Sequence, residues 1–65
     1  MNKSFIVKDS DGEFINGYNI AIGERTALVS AKQCALRSKA NVFEKADNSE
    51  KMIYKWENGE LNKIE

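Results

Sequence analysis

Three short runs in this 65-residue sequence carry residue types that can do chemistry. Asp9, Asp11 and Glu13 alternate like the carboxylates that open a calcium loop. Gly12 and Gly17 have the spacing of the two glycines that cradle a phosphate. Cys34 stands between Lys32 and Arg37, a positive setting that favours a reactive thiolate. Each pattern breaks at the residues that would do the work. A calcium loop needs Gly where Phe14 stands and a bidentate Glu where Ile20 stands. A phosphate loop needs Lys and then Ser or Thr where Tyr18 and Asn19 stand. Asp9-Ser10-Asp11-Gly12 is better explained as a polar turn, because Asp and Ser bond their own backbone and Gly closes the reversal. Cys34 reads as a small residue on the underside of a helix, since free Cys is among the most buried types.

The wider composition points the same way. There is no His and a single Cys, so the usual neutral-pH proton shuttle, the His-based triads and a four-ligand zinc site are all absent. A carboxylate pair or a perturbed Lys remains conceivable, but so short a chain offers little room to desolvate either. A non-enzymatic protein without metal or cofactor is expected.

A chain of 65 residues buries only about 60% of its unfolded surface, so residues 1–65 are read as one small domain. A hydrophobic share of 42% with charges of both signs suits a folded chain. One Cys cannot form an internal disulfide, which suggests a reducing compartment. The apolar run Phe5-Ile6-Val7 is too short for a signal-peptide core or a membrane span. A cytoplasmic protein with no membrane partner is therefore expected, and the Asn2-Lys3-Ser4 glycosylation signal is given no role.

Turn signals divide the chain. A four-residue loop at Asp9–Gly12 would set Val7 opposite Phe14 and Ile6 opposite Ile15. Asn16-Gly17 and Asn58-Gly59 are strong two-residue hairpin signals, and Asp47–Glu50 is a longer polar turn. The first Asn-Gly pairs Ile15 with Tyr18 and starts a period-two strand through Ile22, so the front half reads as a three-stranded meander. The second pairs Trp56 with Leu61 and Tyr54 with Lys63. Met52, Tyr54, Trp56 and Leu61 would then share a core face, with Ile53, Lys55 and Ile64 on the wet side.

Between these signals, Ser30 to Ala40 is rich in helix formers and opens with a Ser30/Gln33 capping box. Ala31, Cys34, Ala35 and Ser38 form a small-residue face. Continuation to Ala46 with Thr26 as an earlier cap is the other reading. Lys32 and Lys39 would interrupt its apolar stripe, so a helix end near Ala40 and a strand from Val42 to Ala46 are preferred. The order strands, helix, strands gives an α+β fold with one short helix packed on a mostly antiparallel sheet.

The balance of ten basic against ten acidic residues conceals a pattern. Residues 1–24 sum to −2, residues 25–45 to +4 and residues 46–65 to −2. The basic segment makes Arg25, Lys32, Arg37 and Lys39 the partner-binding candidates, with Tyr54 or Trp56 as an aromatic anchor. The expected function is a small binding protein that modulates a partner protein. Its size and lack of a catalytic motif suit an accessory protein of a phage or other mobile element, without a diagnostic motif. Nucleic-acid binding through the same cations, with bases stacked on Tyr54 and Trp56, is the first alternative. A self-associating domain, such as a homodimer pairing the basic helix with acidic hairpins, is the second.

Overall fold

The first reversal is made by Asp9, whose carboxylate accepts from the main-chain N–H groups of Asp11 and Glu13, each at 2.9 Å. It turns strand β1 (Lys3–Lys8) into β2 (Phe14–Asn19), and a one-turn 3-10 helix (Ile20–Ile22) leads into α1 (Glu24–Ser38). Strands β3 (Asn41–Ala46), β4 (Ser49–Glu57) and β5 (Glu60–Lys63) follow. This computed structural model describes residues 3–64, so Asn2 of the glycosylation signal lies outside the described residues. The sheet is antiparallel throughout in the order β2-β1-β3-β4-β5. With one helix on one face, it is the α+β architecture expected from the sequence.

The helix underside explains its close packing. Ala27, Ala31 and Cys34, at i, i+4 and i+7, are buried together with Ala35. Their small side chains bring α1 onto Phe5 and Val7 of β1 and Val42 of β3. The helix ends where expected: Lys39 takes the left-handed conformation (φ 54°, ψ 52°), and Ala40 N–H reaches back to the Ala35 carbonyl at 2.9 Å. Its start differs. The helix begins six residues before Ser30, at Glu24, with Gly23 as N-cap and no side-chain cap. The Ser30/Gln33 box is mid-helix, because packing of Ala27 extends the helix beyond the point where a cap signal is visible.

Three further expectations are corrected. Asn16-Gly17 makes no turn: both residues lie inside β2, opposite Val7 and Ile6. A reversal there would have left only the residues up to Ile15 to pair with β1. Running straight through extends the ladder to Asn19, after which the Asn19 side chain accepts from Ala21 N–H at 2.8 Å and starts the 3-10 turn. The expected meander strand to Ile22 is thereby cut short. Second, Val7 and Ile6 pair with Asn16 and Gly17 rather than with Phe14 and Ile15: the loop is five residues, Asp9–Glu13, which sets Lys8 opposite Phe14, and a bulge at Ile15 adds a second residue of shift. Third, a bulge at Ile53 pairs Val42 with Tyr54 and Phe43 with Met52. Met52 moves to the face away from the helix, and Ile53 joins Tyr54 and Leu61 against the core.

The Asn58-Gly59 hairpin forms in the expected register, Trp56 with Leu61 and Tyr54 with Lys63. Both turn residues have positive φ, 55° and 78°. Among the described residues, no second layer covers the sheet face away from α1. Its Ile6, Phe43 and Met52 are shielded by long side chains: Lys8 crosses the Phe43 ring at 5.1 Å to meet Glu50, and Phe14 lies over Gly17.

Candidate functional site

The helix that packs its small residues inward must present its other side to solvent. Arg25, Val29, Lys32 and Leu36 stand at i, i+4, i+7 and i+11 and therefore form one stripe opposite the buried alanines. Val29 and Leu36 are 45% and 49% exposed, and Ile22, just ahead of the helix, is 58% exposed. Large apolar side chains thus alternate with cations along this exposed helix face.

The electrostatics are one-sided. The acidic residue of the first turn, Glu24, is held by Lys3 at 3.3 Å, and Lys3 also meets Glu44 at 3.3 Å. Glu24 and then Glu44 hold the Lys3 ammonium above its ordinary value. Among the described residues, Arg25, Lys32, Arg37 and Lys39 make no ion pair; the paired cations are Lys3, Lys8 and Lys55. Among the described residues, no carboxylate of the acidic hairpins forms an ion pair with these four cations.

The six candidates separate into groups. Lys32 and Tyr54 meet, the Lys32 Nζ sitting 4.7 Å from the Tyr54 ring centre. At a partly exposed site that contact contributes about 0.5–1 kcal/mol and fixes the cation against the sheet. Arg25 continues the same stripe, and Lys39 closes it at the helix C-terminus, where a cation also suits the dipole. Arg37 lies on the other flank, towards Tyr18. Burial and then the neighbouring Cys34 thiol push the Tyr18 phenol above its ordinary value, and Arg37 pulls it back. Trp56 is half-buried on the helix side of the sheet, paired with Leu61, and its main-chain N–H donates to the Asn41 carboxamide at 2.8 Å. Neither Tyr54 nor Trp56 stands on the open face, so they form no platform there for stacking bases.

Ile22, Val29 and Leu36 are not among the candidates that charge and motif single out. The spacing of Val29 and Leu36, seven residues apart, was a usable signal, but a helix begun at Ser30 excludes Val29 from the stripe. Among the described residues, no group of three or more His, Cys, Asp or Glu could hold a metal ion, and no helix is long and apolar enough to cross a membrane. Comparisons with protein-family models, curated proteins and solved structures find no match to this chain.

Proposed function

We propose that the chain is a small non-enzymatic binding protein that modulates a partner protein by docking it on the outer face of α1. One observation carries this reading: exposed Val29 and Leu36 share a stripe with Arg25 and Lys32, neither of which has a carboxylate partner within the described residues. Such a surface fits an acidic partner segment with apolar anchors. The anchors supply the affinity, about 2 kcal/mol or more for a well-packed one. The cations set orientation and on-rate.

The test is a nuclease-treated pull-down from the source organism, comparing wild type with the variant Arg25→Glu, Leu36→Ser, Lys39→Glu. All three side chains are exposed, so the variant retains its fold, which circular dichroism checks. A specific partner should be captured by wild type, lost with the variant, and weakened as salt rises above about 0.15 M. Equal capture by the variant, or no specific partner, would overturn the reading. The same unpaired cations favour nucleic acid as the second reading. A salt-sensitive shift of mixed oligonucleotides, abolished in the same variant, would move the conclusion there.

A further inference from the structure

The two ends of the sheet are guarded very differently. Strand β5 is four residues long and carries Glu60 and Lys63, and its Asn62 side chain folds back onto the Glu57 and Glu60 carbonyls at 3.2 Å. Short length and charge are devices that stop an edge from pairing with another chain. Strand β2 is six residues long, Phe14-Ile15-Asn16-Gly17-Tyr18-Asn19, and carries no charge. Five of those six residues are exposed, with Phe14 at 65% and Ile15 at 37%. Its one safeguard is the bulge at Ile15, which leaves Asn16 to Asn19 as regular strand.

We infer that the β2 edge pairs with the β2 edge of a second copy, antiparallel about a two-fold axis, giving one ten-stranded sheet. This surface is distinct from the helix face above and does not depend on it. Three observations select a second copy as occupant. An uncharged strand can meet itself without setting like charges opposite each other, which a two-fold arrangement would otherwise impose. The guarded β5 edge stops further growth, so the assembly closes as a dimer instead of extending into a fibre. The core is also thin for a free-standing domain: among the described residues, four of the nine that are buried are Ala, and Phe5 is the one aromatic side chain with them.

The local chemistry sets the strength. The Asn16 side chain accepts from Gly17 N–H at 2.8 Å, occupying a donor of the edge strand with a local bond. A six-residue strand is about 20 Å long, so the contact falls below the ~1,200 Å² of standard stable interfaces. The dimer is therefore of the weak, concentration-dependent class.

Sedimentation equilibrium from about 10 μM to about 1 mM, the range suited to weak interfaces, tests this. The average mass of wild type should climb from monomer towards dimer across that range. Ile15→Lys, a charge on an exposed edge position, should weaken association at least tenfold. Asn62→Lys, the same charge on the β5 edge, should leave it unchanged, and Asn16→Ala should strengthen it by freeing the Gly17 donor. Circular dichroism confirms that each variant is folded. A wild type that stays monomeric at the highest concentration, or equal association of the two Lys variants, would overturn the inference. Neither result bears on partner capture by the helix face.

Discussion

Asn16-Gly17 and Asn58-Gly59 are the same dipeptide at opposite edges of one sheet, and only the second reverses the chain. At Asn58-Gly59 both residues have positive φ, and the flanking strands pair from Glu57 opposite Glu60 outwards. At Asn16-Gly17 the backbone is extended, Gly17 lies opposite Ile6, and the absent side chain leaves a seat for the Phe14 ring. The difference is one of alternatives. Nothing else within reach could turn β4 back, whereas Asp9 had already turned β1 with two side-chain bonds. A second reversal so close behind that loop would have given up ladder pairs with β1. Local turn preference decides where no longer-range pairing competes with it, and yields where one does.

Substitution at the two glycines should give the largest contrast. Gly59→Ala forces a side chain into φ 78° and should cost about 1–2 kcal/mol, read as a lower urea midpoint with an unchanged slope. A change below about 0.5 kcal/mol would mean that the turn relaxes to another type. Gly17→Ala should act in the opposite sense. Gly17 does not have positive φ, and an added Cβ would meet the Phe14 ring at 3.5 Å, an ordinary contact. Removing backbone freedom from the unfolded chain should then stabilise by about 0.4–1 kcal/mol. If Gly17→Ala destabilises as much as Gly59→Ala, Asn16-Gly17 is a turn in solution, and the β2 edge described above does not exist.

The same contrast explains what could be read from the residues alone. The back half was legible: the Asn58-Gly59 register, the strand ending at Ala46 and the helix stop all follow from local chemistry that nothing overrides. The helix start was not, because Gly23 caps it without a side-chain bond. The faces of β4 were reversed in part because the Ile53 bulge, a tertiary feature, changes the phase between Met52 and Tyr54. For the candidate site, the cations were visible as a +4 segment. The apolar half of the stripe was hidden, since Val29 belongs to the helix only once Ala27 is known to pack beneath it.

The smallest effect expected is in alkali, and it concerns the β2 side of the molecule. Burial and the Cys34 thiol raise the Tyr18 phenol above its ordinary 10.0. The unfolded chain therefore releases this proton at lower pH than the folded one, so stability is full below about pH 10 and falls as pH rises towards the folded value. Lys3 acts in the same direction: held above 10.5 by Glu24 and Glu44, it supports the fold through neutral pH and loses that effect as pH rises through its folded value. Stability measured from pH 8 to 11 should decline at the alkaline end. Tyr18→Phe should flatten part of that decline, at a cost near neutrality of under about 1 kcal/mol for the lost hydrogen bond from the Asn16 carboxamide. An identical alkaline slope in wild type and Tyr18→Phe would place the phenol in water, and would mean that β2 is not held against Cys34 of the helix. Loss of the slope in Lys3→Met alone would assign the decline to the Glu24 and Glu44 pairings.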